Sequence, residues 1–455
     1  MSKPGLATRI AAAILLTRVI DDHRSLDGLL DTRHGPSQYR ALSDADKSLA
    51  RAIVTVSLRR RGEIELALNK VLDRKPPKNA RQLIHTLHVA AAQILFLDVP
   101  DSAAVDLAVT ALRNDKRSTR FAGLANAVLR RMSREKSEIF GDKSHNDIAL
   151  LNMSPWLAKR VRKDYGRERM AAIASQHMLE PVIDLTVRSD PQKWAQELGG
   201  LHLFGNSVRV QREGKIESWP GFDEGAWWVQ DAAASLPVHL FGDVSGKAAL
   251  DLCSAPGGKT AQLAAGGATV TALEASQPRL ERLNSNLQRL QLSATCIHAD
   301  LMEWQPDHLF DLVLLDAPCS STGTIRRHPD VQWNKSPDAI EALAILQREM
   351  VERAALFVKP GGMLIFSNCS LDRAEGENVV AEVLATHTEL QPLPIDPAEC
   401  FGMSEFINRQ GTVRTLPSHL QFSAAEDTES TELVDQSMTG LDGFFCARFI
   451  RSMQT

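Results

Sequence analysis

Nothing in the 455 residues stays apolar long enough to cross a bilayer. The apolar opening, residues 6–20, is interrupted by Arg9 and Arg18 and followed by Asp21 and Asp22. It is shorter than the roughly 20 residues a membrane helix needs, and it has no cleavage-site pattern. Cysteine is sparse and unpatterned: the six present form neither a disulfide ladder nor paired C-x-x-C clips. Neither a stapled secreted module nor a structural metal site is expected. The reading is a reduced, cytoplasmic chain with no metal and no membrane contact. Excess positive charge is missing too, with 52 Lys+Arg against 56 Asp+Glu and a net charge of −4. Any surface for nucleic acid must therefore be local. Two phosphate-binding signatures are also absent. A P-loop would need glycine where Cys253 stands, and the G-x-G-x-x-G spacing does not occur there.

What is present is material for several cores, since 44% of residues are apolar and the length calls for two or three domains. Leu6, Ile10 and Ile14, then Leu49, Ile53 and Val56, then Leu83, Leu87, Ala90 and Ile94 recur at helical spacing. Residues 1–140 read as an all-α domain, with Ser43 and Asp46 as a cap before the helix through Leu49. His85 and His88 have no third ligand nearby and read as core or surface histidines. Residues 113–169 carry 15 Lys+Arg against 7 Asp+Glu, an asymmetry suited to a phosphate backbone. Residues 146–235 then mix a basic helix at 156–169 with short alternating strands at 182–188, 208–210 and 227–230, a small α+β module. Residues 398–439 read as an irregular acidic insertion.

Within residues 236–455, strands and helices alternate, the pattern of an α/β parallel sheet covered on both faces. Strands end at Leu252, Glu274, near Asp300, at Asp316 and before Cys369. The first is followed by Cys253, Ser254, Ala255, Pro256, Gly257, Gly258 and Lys259, a small-residue turn opening a helix. Such a turn admits a ligand close to backbone N–H groups. Strand ends in an open sheet converge on one cleft. Glu274 has the spacing of a ribose-holding acid, Asp300 that of an acceptor for adenine, and Asp316, Cys319 and Cys369 complete the set. Asp372 with Glu375 reads as a capping box. Cys296, Cys400 and Cys446 have no motif around them.

The motifs Asp-Leu-Cys-Ser-Ala-Pro-Gly-Gly-Lys-Thr (251–260), Asp-Ala-Pro-Cys-Ser (316–320), Arg-Arg-His-Pro-Asp (326–330) and Asn-Cys-Ser (368–370) resemble those of the RNA cytosine-C5 methyltransferases. Over nearly the whole chain the resemblance is to the RsmB/Sun/Fmu-type bacterial 16S rRNA enzymes. It implies a NusB-like RNA-binding domain, a small linker module and a Rossmann-like methyltransferase domain using S-adenosyl-L-methionine. It further implies that residues 253–259 embrace the methionine part, Glu274 the ribose and Asp300 the adenine. Asp316 would lie between cofactor and base, Cys369 would attack and Cys319 would assist breakdown of the adduct. Glu274 stands where Asp is commoner, and Asn368 where Thr is. Arg326, Arg327 and His328 would grip flanking phosphates, and Arg113, Lys116, Arg117 and Arg120 would make sequence-independent contacts. Trp333 is read as stacking on a base or packing. The expected partner is 16S rRNA or an early small-subunit intermediate, met by a monomer. The alternatives are a tRNA substrate, or a non-catalytic assembly or antitermination factor on the same scaffold. The cysteine assignment would reverse if Cys319 were the attacker.

Overall fold

The Ser43 hydroxyl accepts from the Asp46 amide at 3.2 Å and donates to its carboxylate at 2.7 Å, which starts the helix Asp44–Arg59 where the sequence places it. The structure, a computed structural model, describes residues 3–77, 79–212, 214–421 and 438–453. The chain divides into two compact units: Met1–Leu179 with Ile325–Ser336, and Glu180–Thr324 with Pro337–Thr455.

The first unit is helical. Its opening helix, Leu6–Ile20, buries Ala11, Ala12, Ala13, Leu15, Leu16 and Val19, so it is apolar around most of its circumference and serves as a core element. The helices Arg61–Val71, Arg81–Phe96, Asp101–Asn114 and Ala122–Glu135 share a second core around Leu87, Leu112 and Leu129. His85 and His88 lie inside this unit; His85 pairs with Asp21 at 3.0 Å, and burial lowers the pKa of His88 to about 3. The basic helix is longer than expected, spanning Pro155–Met178 with Gly166 at φ 81 inside it. Its second half turns Met170, Ile173 and Met178 inward, an apolar spacing that the density of charge before it obscures.

Residues 325–336 close the first unit. The Asp330 carboxylate accepts from the Leu26 amide at 2.9 Å, the Arg326 carbonyl from the Arg59 guanidinium at 2.8 Å, and Trp333 donates to the Leu58 carbonyl at 3.0 Å. One expectation is corrected here, and one left open is decided. Arg326 is 3% exposed, so its side chain is not presented to phosphates. Trp333 packs in the apolar cluster of Leu16 and Leu58 with the Arg61 guanidinium over its ring, so it stacks on no base. Arg327 stays exposed, and His328 sits 3.5 Å from Asp27.

The second unit holds two sheets. In the smaller, β1 (Ile183–Val187), β2 (Leu201–His202), β3 (Ser207–Val210) and β4 (Trp227–Val229) pair antiparallel in the order β2-β3-β1-β4. Arg209 and Asp184, both buried, form a bidentate pair at 2.7 and 2.8 Å across β3 and β1. Asp184 also accepts from the Ala232 amide at 3.1 Å. Asp184→Ala would strand a buried guanidinium and is expected to cost about 3–5 kcal/mol, seen as a lowered urea midpoint.

The larger sheet comprises β5 (Ala248–Leu252), β6 (Thr269–Glu274), β7 (Thr295–His298), β8 (Phe310–Asp316), β9 (Val358–Asn368), β10 (Leu390–Pro392), β11 (Val413–Thr415) and β12 (Phe444–Arg451). The order is β10-β12-β9-β8-β5-β6-β7, with β11 also on β12. Strands β5 to β9 run parallel and β12 antiparallel to β9. Sequential connection reverses at β5, which lies between β6 and β8, and this is where a doubly wound sheet opens its crevice. Strand β9 is long, and Pro360, Gly361 and Gly362 lie within it. The expected insertion is in part ordered core: β11 pairs with β12, and Cys400 and Phe406 are fully buried. Its acidic residues 422–437 lie outside the described residues.

Candidate active site

The turn after β5 has its tight approach at Gly257. Its φ is 105, a conformation that strains any residue with a side chain, and a Cβ there would stand 2.4 Å from Leu283 Cδ1. Neighbours fix the turn's carbonyls: Arg279 donates to Ala255 O at 2.5 Å and Asn286 to Pro256 O at 2.8 Å. The helix Gly258–Ala265 follows with no side chain capping it, which leaves first-turn N–H groups for an anion. Asp251, wholly buried on β5, accepts from Thr260 at 2.6 Å while its Oδ1 has no partner. Burial raises its pKa to about 7. Cys253 is pushed up to about 12 by burial, so it is a packing thiol.

At the tips of β8 and β9 the two expected cysteines meet. Cys319 Sγ and Cys369 Sγ are 3.4 Å apart, both free and half-buried. The hydrogen bond from Cys319 lowers the pKa of Cys369, against the opposing effects of burial and Asp316. The same contact and burial raise Cys319 well above the usual thiol range. The contact therefore favours a thiolate at Cys369 over one at Cys319. No helix N-terminus stands just after Cys369 to favour its anion. A three-residue turn, Arg373–Glu375, intervenes, and the helix starts at Glu377. The neighbouring thiol takes its place.

Asp316 faces this pair as an acceptor, taking a hydrogen bond from Lys259 Nζ at 2.7 Å and from Ser367 Oγ at 3.0 Å. The lysine, placed with the turn in the sequence, thus reaches across to the tip of β8. Glu274 holds the turn itself, accepting from the amides of Ala255 at 3.2 Å and Ser276 at 3.0 Å. Asp300 is exposed and accepts from the Met302 amide at 2.9 Å. Gly323 brings in the segment after Cys319: its amide donates to the Cys369 carbonyl at 2.9 Å, and a Cβ there would meet Gly443 O at 1.8 Å. Arg113, Lys116, Arg117 and Arg120 lie exposed at the end of helix Asp101–Asn114 and in the turn beyond it.

Glu375 is the residue sequence reasoning missed. Asp372 does cap the short turn, accepting from the Ala374 amide, but Glu375 is fully buried. It accepts from Ser320 N at 2.8 Å, Ser320 Oγ at 2.5 Å, Ser370 Oγ at 2.6 Å and Gln347 Nε2 at 3.0 Å. The serines that flank both cysteines were the available signal. Their common partner lies 55 residues from Ser320, beyond the reach of local pattern.

A model of the 16S rRNA methyltransferase RsmB/F family matches residues 240–449, and one of the NusB family matches residues 6–134. Ribosomal RNA small subunit methyltransferase B of Serratia proteamaculans is 33% identical over 395 residues, covering 84% of this chain and 90% of that protein. The chain belongs to the RsmB/F family of 16S rRNA methyltransferases. The Vibrio cholerae protein of the same name is 32% identical, covering 86% of this chain and 92% of its own. In fold, the crystal structure of PH0851 is similar with a TM-score of 0.69 over 99% of both chains at 22% identity. NSun6 from Pyrococcus horikoshii gives 0.54 over 66% of this chain and 99% of its own, at 17% identity.

For an RsmB/F enzyme the cleft has to suit S-adenosylmethionine, and the residues present do. The uncapped helix start fits a carboxylate, and the unpartnered Asp251 Oδ1 fits a donor such as an ammonium. Glu274 and Asp300 remain candidates for the ribose and the adenine, each with lone pairs beyond those used by the chain. Among the described residues no group of three His, Cys, Asp or Glu is placed to hold a metal ion, and no helix is long and apolar enough to cross a membrane.

Proposed function

We propose that the protein methylates C5 of a cytosine in 16S rRNA, with Cys369 as nucleophile. The observation that supports it is the pair of sulfurs 3.4 Å apart at the tips of adjacent parallel strands, beside Asp316. C5 of cytosine is a weak nucleophile. Addition of the Cys369 thiolate to C6 makes C5 enamine-like, which divides a difficult substitution into easier steps. S-adenosylmethionine, when bound, supplies an electrophilic methyl group. The C5 proton is then removed and Cys369 leaves by elimination, with Cys319 the nearest group to take part. Asp316 orients the base, and the ammonium of Lys259 beside it is a proton source for N3 as the thiolate adds. Asp316→Asn is expected to lower kcat by about 100-fold with an unchanged melting temperature; full turnover would remove this role.

A cytosine reaches such a cleft flipped or single-stranded. Lys116 and Arg117 are assigned to phosphates, with Arg113 and Arg120 beside them. Lys116→Ala is expected to weaken rRNA binding evenly across sequences and to reduce the salt slope by about one, measured by filter binding at several salt concentrations. An early small-subunit particle as substrate, a monomeric enzyme and a cytoplasmic setting complete this reading. Bisulfite mapping of 16S rRNA from cells with and without the protein tests it. One cytosine should lose its methyl mark in the deletion, and an unchanged map would refute the function.

A further inference from the structure

The two thiols sit on segments far apart in sequence, yet one buried carboxylate bonds the residue next to each of them. Ser320 follows Cys319, and Ser370 follows Cys369. Glu375 accepts from the amide and hydroxyl of the first and from the hydroxyl of the second. The hydroxyls of Ser320, Thr322 and Ser370 also lie within 3.1–3.3 Å of one another. The knot extends further. Asn368 donates to the Glu375 carbonyl at 2.5 Å and accepts from the Ser370 amide at 3.0 Å, and the Leu371 amide donates to Thr322 at 2.9 Å. Gln347, from the helix Pro337–Ala355, bonds both Glu375 and the Pro318 carbonyl, the latter at 2.9 Å.

We propose that Glu375 is a positioning residue that locks the segments carrying Cys319 and Cys369 together and settles which of the two sulfurs attacks. The inference rests on the two-thiol reaction above. Two sulfurs in contact share a proton, and their ionisation belongs to the pair. Some further charge has to decide which sulfur keeps it. The charged groups facing the pair are Asp316, Asp442 and Glu375, with Lys259 bonded to Asp316 and Arg414 bonded to the Ser370 carbonyl. Asp316 and Asp442 act against ionisation of Cys369, and Glu375 acts against ionisation of Cys319. Asp316 also joins the two segments, through Ser367, but Glu375 bonds the residue next to each sulfur, so its charge and its grip work on the same geometry. It touches no substrate.

Alkylation with iodoacetamide at pH 7, followed by peptide mass spectrometry, reads the outcome directly. In the wild type Cys369 should be modified at least ten times faster than Cys319. Glu375→Gln keeps the shape and removes the charge, and should lower that ratio at least fivefold. It should also lower kcat at least tenfold, with the KM for rRNA changed less than twofold. Glu375→Asp should recover part of both. An unchanged alkylation ratio in folded Glu375→Gln overturns the proposal. If Glu375→Gln does not accumulate as folded protein, Ser370→Ala removes one arm of the clamp, and an unchanged ratio there overturns it equally. The alkylation ratio needs no RNA and no methyl transfer. A protein inactive on every rRNA, yet with the ratio shifted by Glu375→Gln, would sink the proposed function and leave this assignment standing.

Discussion

Cys369→Ala is expected to abolish methyl transfer, by on the order of 10⁴- to 10⁶-fold, the loss seen when a covalent nucleophile is removed. Without its sulfur nothing adds to C6, and C5 keeps the low reactivity of an aromatic ring carbon. RNA carrying 5-fluorocytosine reads the step itself. The wild type should form an adduct that survives denaturing gels, because the fluorine cannot be removed as a proton is; Cys369→Ala should form none. Binding of unmodified rRNA should change less than threefold, since a side chain of this size contributes little to a large polar interface. A stable adduct in this variant would transfer the nucleophile's role to the other sulfur.

Cys319→Ala has the second largest expected effect and the opposite signature. Loss of a group that aids proton transfer costs about 10²- to 10⁴-fold, and it should appear after addition. The variant should accumulate an adduct on ordinary cytosine RNA, released only slowly. Two effects of Cys319 separate in this experiment. Removing its thiol also removes the hydrogen bond that favours the Cys369 anion. Adduct formation in Cys319→Ala should therefore need a higher pH than in the wild type, rising as Cys369 ionises without its donor. If the adduct fails to persist at any pH, Cys319 has no part in elimination.

The candidate site was legible where chemistry is carried by strand ends. A parallel sheet brings its strand tips to one side, so Glu274, Asp316, Cys319 and Cys369 could be gathered from three separate stretches by topology alone. The glycine turn was legible because a run of small residues between a strand and a helix marks a close backbone approach, and Gly257 does adopt φ 105. What escaped depended on distant partners. Arg326 belongs to a basic motif that reads as exposed, and only its burial in the folded unit shows otherwise; the choice between stacking and packing for Trp333 is made by the carbonyl of Leu58, 275 residues away. Glu375 has the spacing of a cap, and its inward orientation follows from Ser320 and Gln347, neither of which is local. The contact that favours the Cys369 anion comes from a thiol 50 residues earlier in the chain, which no local pattern shows.

The segment Ile325–Ser336 has a consequence for how the protein is made. A nascent chain emerges from its amino end, and domains ordinarily fold in that order at about 5–20 residues per second. Here the leading helices cannot finish early. The amide of Leu26 waits for the carboxylate of Asp330, 304 positions behind it, and Arg59 waits for a carbonyl 267 positions behind. At those speeds the gap between synthesis of one partner and arrival of the other is on the order of tens of seconds. During that interval the slot for Trp333 stands open, and a chain halted before residue 325 would carry it permanently.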